Sequence, residues 1–549
     1  MSSIDDIVAR ARSAWAAGDH AACRQLAAEA LDIRRDDFTA RMLLGDVCAA
    51  AGDLPGAARW MELAVASQPR NAGARLHLGR TLVRLGEARK AMRQFERVRR
   101  DAPADPGAAA GLASCHEMLG QPAKAEAALA PAMPGGVERA PLEVAATLAR
   151  IRARTGAEAN TLVESIAARF VGEVASDPSS NAADDPSSDP SSGPSSEPAS
   201  EPARHAASRP ARDSARDAAG SPRDRRTILH ALARTREAAG DHAGAFAAAT
   251  SANRLDPPDF DPDVLDASVD ALIARATPER FAGMPRPETR DDRPVFIVGM
   301  PRCGSTLLER VLHAHPAVHG VGEAGTLDLV PSPPLAERLG SDRAMPELLD
   351  DLTPEATQGL RRDLLAWIRR AAPAAKRVVN KELFNLFRLE LIAAVVPEAR
   401  IIHCVRSPRD TALSCYMEQL PRGSCGFTCD REHLVRWWQA QHRLAEHMAG
   451  VLPNPWLEVR YEDLVADLPG QGQRVLSFLG LPWDDRCLEF HTVKRTETTA
   501  SVDQVRRPLY RGSVQRSERF AAHLGPLAKL PAAMPGDARA ERTEAFAAD

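Results

Sequence analysis

The chain has 549 residues and a formal net charge of −4. Its length predicts two or three domains rather than one core, and its small acidic balance gives no reason to expect nucleic-acid binding through bulk charge. The first six residues hold two acids and no basic or apolar leader, and no run approaches the roughly 18 apolar residues that span a bilayer. These features predict a soluble, cytoplasmic protein that contacts neither nucleic acid nor membrane.

The first part of the chain repeats with a period of 34 residues, which is the period of the two-helix tetratricopeptide repeat. The period is marked by Gly18, Gly52, Gly86 and Gly120, by Ala57, Ala91 and Ala125, and by Met61, Phe95 and Leu129. Gly45 and Gly79 stand where two helices approach closely, and the large residues fill the gap between helices. Residues 1–170 are therefore predicted as a tetratricopeptide repeat domain. Its role is either to bind a protein or peptide or to serve as a structural platform.

Residues 171–226 are of low complexity, with Asp-Pro-Ser-Ser units and Arg-rich steps. Such a composition buries too little apolar surface to offset chain entropy, so this segment is predicted as a disordered linker. Residues 227–290 resume a helical repeat pattern around Gly240. We expect this segment to pack against the C-terminal domain rather than to extend the N-terminal array.

From residue 291 to residue 549, short apolar runs alternate with helical patterns. Strands are predicted at 295–298, 377–380, 400–405 and 456–459, and helices at 384–396, 410–417, 431–449 and 472–479. This alternation predicts a parallel sheet covered by helices. Ligands of such sheets bind at the carboxyl ends of the strands.

The segment Pro294–Thr306 reads PVFIVGMPRCGST, a buried strand followed by a tight loop and the start of a helix. Gly299 and Gly304 allow close approach of the backbone, Arg302 adds a positive charge, and backbone N–H groups at the helix start point at an anion. The loop lacks the Gly-Lys-Ser/Thr of nucleoside triphosphatases, so metal-dependent NTP hydrolysis is not favoured.

This loop resembles the 5′-phosphosulfate-binding loop of sulfotransferases that use 3′-phosphoadenosine-5′-phosphosulfate (PAPS). Three later segments resemble the same family in order: Ile401–Ser414 (IIHCVRSPRDTALS), Val459–Leu464 (VRYEDL) and Thr499–Pro508 (TASVDQVRRP). The resemblance is to bacterial sulfotransferases with tetratricopeptide repeats, which are related to protein-tyrosine sulfotransferases. It implies a multidomain fold, an all-α tetratricopeptide solenoid followed by an α/β three-layer, parallel-sheet, P-loop-like sulfotransferase domain over residues 291–549.

The resemblance implies that PAPS is the co-substrate and adenosine 3′,5′-bisphosphate the product, with no metal. It assigns donor binding to Arg302, Cys303, Gly304, Ser305, Thr306 and Leu307, to Arg406 and Ser414 at the 3′-phosphate, to Tyr461 near the adenosine, and to Arg516. Cys303 stands where the family usually has serine. Because Cys303 lies at a helix N-terminus beside Arg302, its pKa is expected to fall, which predicts sensitivity to oxidation.

Sulfuryl transfer needs a base for the acceptor hydroxyl and positive charge at the leaving oxygen. The resemblance and the loop position make Glu323 the predicted base, with a helix-capping role as the alternative. His313, His315 and His319 are rival bases, and His315 before Pro316 reads as a turn residue.

Lys381, at the end of a predicted strand, is expected to stabilise the bridging oxygen. Arg302 and Ser501 complete the implied catalytic set. The sequence departs from the family pattern directly after Lys381, where it has Glu382-Leu383.

The nine cysteines are scattered, which predicts reduced thiols rather than a disulfide framework. Cys415, Cys425, Cys429 and His433 are candidate zinc ligands, but their spacing is not diagnostic, and free thiols are the preferred interpretation.

The predicted function is PAPS-dependent sulfation of a hydroxyl. A tyrosine of a protein bound by the repeats, a glycan and a small alcohol all remain open as acceptors. The alternatives are a nucleotide kinase of similar fold and a non-catalytic scaffold with a nucleotide-binding domain. The scaffold predicts loss of the base or the anion cradle, whereas both are present.

Overall fold

The computed structural model describes residues 3–51, 53–171, 221–255, 257–284, 290–323, 345–493 and 512–534, and the isolated positions 335, 339–341, 343 and 509. Two compact units make up the chain, one within residues 1–255 and one that includes residues 256–549. The predicted linker lies outside the described residues except at its two ends. Val171 follows one helix, and the next helix begins at Pro222, so residues 222–226 are helical rather than disordered as predicted.

The described part of the first unit is helical. Its α-helices are α1 (Ile4–Ala17), α2 (His20–Ile33), α3 (Phe38–Ala50), α4 (Leu54–Ser67), α5 (Ala72–Arg84), α6 (Ala88–Asp101), α7 (Pro106–Met118), α8 (Pro122–Leu129), α9 (Leu142–Arg152), α10 (Asn160–Phe170), α11 (Pro222–Ala238) and α12 (His242–Arg254). Short 3₁₀ segments at Ala130–Ala132, Val137–Arg139 and Ala153–Ala159 connect α8 to α10.

The repeat pattern corresponds to helix pairs. Gly18, Gly86 and Gly120 have φ between +71° and +80° and make the turns between paired helices, while Gly52 lies outside the described residues. The side chain of Phe95 is fully buried and its ring packs against two other glycines. A Cβ added at Gly79 would lie 2.6 Å from this ring, and a Cβ added at Gly111 would lie 2.5 Å from it. The predicted helical repeats, with small residues at close approaches and large residues filling the gaps, are confirmed.

Helices α11 and α12 differ from the prediction for their segment. The side chains of Ile228, Leu229 and Leu232 on α11 are completely buried. This helix packs against α9 and α10, and α12 packs against α11. Arg236 donates to Glu164 of α10 with an Nε–Oε1 distance of 2.7 Å. Residues 222–255 therefore belong to the first unit, because α9 and α10 bury the apolar face of α11.

The second unit contains a parallel sheet in its described residues, with strand order β2-β3-β1-β4-β5. The strands are β1 (Pro294–Gly299), β2 (Val318–Gly322), β3 (Arg377–Asn380), β4 (Arg400–Val405) and β5 (Trp456–Arg460). The described α-helices are α13 (Pro262–Arg275), α14 (Pro278–Ala282), α15 (Ser305–Ala314), α16 (Pro354–Ala371), α17 (Leu389–Val395), α18 (Pro408–Met417), α19 (Arg422–Cys425), α20 (Arg431–Val451), α21 (Tyr461–Ala466) and α22 (Leu468–Phe478). Short 3₁₀ segments lie at Glu347–Asp351, Leu383–Arg388, Gly426–Cys429, Asp485–Thr492, Arg516–His523 and Gly525–Lys529.

Both faces of the sheet are buried, as expected for parallel strands. Phe296 and Val298 of β1 point into one apolar cluster, and Val295 and Ile297 point into the other. Because β1 is central and hydrogen-bonded to both β3 and β4, its loop lies between the ends of neighbouring strands. The predicted fold class is confirmed. None of the described helices is both long and apolar enough to cross a bilayer.

The four predicted strands are present, whereas β2 was not predicted. Its sequence, VHGVG, contains two glycines and no continuous apolar run, and its pairing with β3 is irregular between Gly320 and Gly322. Such a bulge re-aims the chain at the end of a strand.

Candidate active site

The loop after β1 depends on two glycines with positive φ. Gly299 has φ +147°, and a Cβ there would lie 2.4 Å from the carbonyl oxygen of Cys404. Gly304, the residue before α15, has φ +97°, and its added Cβ would lie 2.4 Å from Cδ2 of Tyr461. The first turn of α15 starts with the buried residues Ser305 and Thr306. Because N–H groups of a first helical turn lack intrahelical acceptors, this geometry meets the requirements of an anion cradle.

Three cysteine thiols lie in or beside this loop, those of Cys303, Cys404 and Cys415. Cys404 Sγ donates to the carbonyl oxygen of Cys303 at 3.4 Å, and Cys415 Sγ donates to that of Pro301 at 3.2 Å. The hydrogen bond with the Cys404 thiol, followed by those from the backbone and hydroxyl of Ser305, lowers the pKa of Cys303 although burial opposes this. The direction is the one expected from the sequence. The thiol of Cys303 is buried, and its sensitivity to oxidation stays a prediction.

Arg302 is the positive charge of the loop and is itself buried. Its Nε donates to Ser414 Oγ at 3.0 Å, and its Nη2 lies 3.7 Å from Glu418. Burial lowers the pKa of Arg302, and the charges of Arg516 and Arg406 act in the same direction against that of Glu418. Three guanidinium groups predicted from the sequence therefore come together here. Such a concentration of positive charge favours the binding of an anion.

Arg406, which follows β4, links the loop to the C-terminal segment. Its Nη1 donates to the carbonyl oxygen of Arg302 at 3.2 Å and its Nη2 to that of Ser513 at 2.5 Å. Its guanidinium also lies over the ring of Tyr461, 4.9 Å from the centroid. The completely buried Asp410 accepts from Ser517 N–H at 2.8 Å. These contacts bring residues 512–517, and with them Arg516, beside the loop.

Glu323 and Lys381 meet at the ends of adjacent strands. Lys381 follows β3, Glu323 follows β2, and Lys381 Nζ lies 2.5 Å from Glu323 Oε1. The Lys381 side chain is 1% exposed and the Glu323 side chain 43% exposed. The partly exposed carboxylate of Glu323 is thus paired with the buried ammonium of Lys381. Ser501, the remaining predicted catalytic residue, lies outside the described residues.

The turn after Lys381 is ordered by Asn380. Its Oδ1 accepts from the N–H of Glu382 at 2.9 Å and from Nδ2 of Asn385 at 3.0 Å. Burial and then the negative charge of Glu323 raise the pKa of Glu382. The sequence alone indicates no role for Asn380 or Glu382. A second acid directly after the predicted lysine was the available signal for Glu382.

The rival histidines make structural contacts. His315 Nδ1 accepts from the Ala317 N–H at 3.1 Å, and its Nε2 lies 3.1 Å from the carbonyl oxygen of Pro482. His313 Nδ1 accepts from the Gly320 N–H at 3.0 Å, and its ring contacts that of His319 edge-on at 5.2 Å between centroids. His315 is thus a turn residue, and His313 is engaged in holding β2.

The cysteine and histidine group weighed for zinc is engaged in other contacts. Cys415 bonds to the loop, and the His433 ring packs 5.1 Å from that of Phe260. Burial raises the pKa of Cys425 to about 12. Within the described parts of the chain, no three or more His, Cys, Asp or Glu side chains are arranged to hold a metal ion.

Comparison with known proteins agrees with this organisation. A sulfotransferase-family model matches residues 294–485, and tetratricopeptide repeat models match residues 8–72, 50–106 and 82–151. An uncharacterized protein of Aquifex aeolicus (strain VF5) is 30% identical over 46% of this chain and 33% of its own length. Protein-tyrosine sulfotransferase 1 of Danio rerio is 26% identical over 39% of this chain and 62% of its own length. The chain thus spans less than two thirds of either relative.

Among solved structures, the sulfotransferase domain of the Synechococcus PCC 7002 olefin synthase is 22% identical, with a TM-score of 0.27, over 43% of this chain and 97% of that chain. The family models account for both parts of the molecule. Residues 8–151 thus match tetratricopeptide repeats, and residues 294–485 match the sulfotransferase family.

Proposed function

We propose that this protein transfers a sulfuryl group from PAPS to an acceptor hydroxyl. The observation that carries the proposal is the position of two groups of residues at the carboxyl ends of the strands. One group is Arg302 in the loop after β1, together with Ser414, Arg406 and Arg516 beside that loop. The Lys381–Glu323 pair stands after β2 and β3 in the same sheet.

The residues around the loop fit a donor with two anionic ends. The first turn of α15 would hold the 5′-phosphosulfate, because its backbone N–H groups have no acceptors within the helix. Arg406 and Ser414 would hold the 3′-phosphate, with Arg516 beside them and Tyr461 near the adenosine. An anion there would offset the burial and mutual repulsion that lower the pKa of Arg302. The arginines and Lys381 supply the positive charge, so the proposal assigns no metal.

Bound PAPS supplies a sulfuryl group whose leaving group is a phosphate. On the protein side, Glu323 takes the proton of the acceptor hydroxyl. Its partner Lys381 holds the carboxylate in place before the reaction. When Glu323 gains the proton its charge is lost, and the ammonium of Lys381 becomes available to stabilise charge on the bridging oxygen. General base catalysis of this kind contributes about 10²–10⁴-fold to the rate.

The acceptor proposed first is a tyrosine of a protein. Relatives named protein-tyrosine sulfotransferases, of which one is 26% identical to this chain, support testing tyrosine before glycans and small alcohols. We further propose that the repeats bind the acceptor protein, since such arrays present extended binding surfaces. All nine cysteines are free thiols, which favours a reducing compartment such as the cytoplasm.

Calorimetric titration of the full chain with adenosine 3′,5′-bisphosphate, ADP and ATP tests the donor site. Micromolar binding of the bisphosphate without metal, with little binding of ADP or ATP, is expected. Tighter, Mg²⁺-dependent ATP binding would overturn the proposal in favour of a nucleotide kinase. A second step supplies PAPS labelled in its sulfuryl group with tyrosine peptides, glycans or phenols. Bisphosphate binding without any transfer would favour the non-catalytic scaffold.

A further inference from the structure

Glu309 is a carboxylate buried to 1% exposure in the second turn of α15, the helix that begins at the anion-binding loop. Its Oε1 accepts a hydrogen bond from the backbone N–H of Gly322 at 2.7 Å. Gly322 is the last residue of β2 and directly precedes the proposed base, Glu323. A buried carboxylate is costly unless it is hydrogen-bonded, so this contact is a strong constraint on the end of the strand.

The Gly322 residue is held from two sides. Its N–H donates to Glu309, and its carbonyl oxygen accepts from the N–H of Lys381 at 2.9 Å. It has φ +73° and lies at the irregularity in the pairing of β2 with β3. The backbone immediately before Glu323 is thus fixed to the donor-loop helix on one side and to the residue carrying the partner ammonium on the other.

We propose that Glu309 is a positioning residue for the base, which connects the geometry of the donor loop to the direction of the Glu323 side chain. This inference rests on the proposed sulfuryl transfer. Because α15 starts at Ser305, directly after Gly304, and carries Glu309 one turn later, a donor that fixes the first turn also fixes the hydrogen-bond acceptor for Gly322. Glu309 touches neither donor nor acceptor in this role, and it acts through the backbone of Gly322.

Two variants separate the hydrogen bond from the volume of the side chain. Glu309→Gln keeps an oxygen acceptor at the same reach, whereas Glu309→Met keeps the size and removes the acceptor. The first readout is amide hydrogen exchange of Gly322 in the full chain, measured without ligand. Removing the acceptor should speed this exchange at least about tenfold in Glu309→Met, while Glu309→Gln stays near the parent.

The second readout compares kcat with donor affinity. Turnover is measured with PAPS and the acceptor that is sulfated fastest among the tyrosine peptides, glycans and phenols. Glu309→Met should lower kcat about tenfold or more, while its affinity for adenosine 3′,5′-bisphosphate stays within about threefold of the parent value. Glu390→Met is the matched control, since Glu390 is equally buried but is held by Arg275 and Arg280. It should lower stability without changing the relation between kcat and donor affinity.

Three results would overturn the role of Glu309. These are unchanged Gly322 exchange in Glu309→Met, faster exchange with parental kcat, and a loss of donor affinity that matches the loss of kcat. The last would make Glu309 a support of the loop alone. A parent protein that does not bind the bisphosphate would instead overturn the proposed function, so the two failures are distinguishable.

Discussion

The Nζ atom of Lys381 lies 2.5 Å from Oε1 of Glu323, across the carboxyl ends of two adjacent parallel strands. The ammonium of Lys381 is buried, whereas the carboxylate of Glu323 is partly exposed to solvent. The buried ammonium therefore neutralises the charge of a carboxylate that solvent can still reach. Such pairing fixes the direction of the carboxylate. In the proposed reaction, this pair would supply both a proton acceptor and a cation.

Replacing Glu323 by Gln should remove the base while keeping a hydrogen-bond acceptor for Lys381. We expect kcat to fall roughly 10²-fold or more, with donor affinity nearly unchanged. Steady-state kinetics and bisphosphate titration on the same preparation measure both. Glu432→Gln is the control, because Glu432 pairs with Lys529 at 3.0 Å on the surface. Weakened donor binding with normal kcat would remove Glu323 from the base role.

The Ser414→Ala substitution tests the 3′-phosphate site. It removes the hydroxyl that lies 3.0 Å from Nε of Arg302 and should weaken binding of adenosine 3′,5′-bisphosphate by on the order of 1–2 kcal/mol. Binding of the 5′-monophosphate should change far less, so discrimination between the two nucleotides falls. Ser268→Ala, on the exposed surface of α13, is the control. An unchanged preference for the 3′-phosphate argues against this assignment.

Much of the fold could be predicted from local patterns. Buried parallel strands carry short apolar runs, here Val-Val in β3 and Ile-Ile in β4, and the bounds of both strands match the prediction. The strand β2 escaped prediction because two glycines and a bulge interrupt its apolar pattern. The packing of α11 on α9 and α10 was also missed, since an apolar helix face does not specify which surface covers it.

The candidate site was predictable where a motif carries its own geometry. The loop residues and Arg406 follow apolar strands, so their place at the sheet edge follows from topology. Glu309 and Asn380 act through contacts with backbone groups, and nothing in their sequence positions marks those partners. The choice between Glu323 and the histidines likewise depends on hydrogen bonds that only the folded chain shows.

Gly304→Ala should disable the anion cradle. The backbone has φ +97° there, and the new methyl group would lie 2.4 Å from the Tyr461 ring, so the loop or the ring must move. We expect bisphosphate binding to be lost and stability to fall by about 1–3 kcal/mol. Gly423→Ala is the control, because a Cβ at that position meets no atom within 4 Å. Parental affinity in Gly304→Ala would contradict the cradle.

Glu382→Gln should change how stability depends on pH. Burial and the charge of Glu323 raise the pKa of Glu382, so the folded protein holds this proton more tightly than the unfolded chain does. The associated stabilisation is complete below the ordinary value of 4.5 and is lost as pH rises through the raised pKa. Glu382→Gln should lose less stability than the parent across that window. Denaturant unfolding between about pH 4 and pH 8 measures this.

The control for this experiment is Glu489→Gln, which changes an exposed carboxylate in the same domain. Its curve should follow that of the parent. Parallel curves for Glu382→Gln and the parent would mean that Glu382 titrates alike in the folded and unfolded chain.

The packing of Phe95 predicts opposite effects for two glycines of one helix. An alanine at Gly79 would place its Cβ 2.6 Å from the buried ring of Phe95, whereas at Gly73 the nearest atom is Asn71 Oδ1 at 3.4 Å. Gly73→Ala should raise stability by about 0.5–1 kcal/mol through helix propensity. Gly79→Ala gains the same propensity but loses about 1–3 kcal/mol to overpacking, so its net effect should be destabilising.

Circular dichroism during denaturant unfolding gives both values. The double variant Gly79→Ala with Phe95→Leu should recover part of the loss, because the smaller side chain makes room for the methyl group. If Gly79→Ala stabilises the protein as Gly73→Ala does, the ring of Phe95 does not require the glycine, and close packing is not the reason for glycine at this position of the repeat.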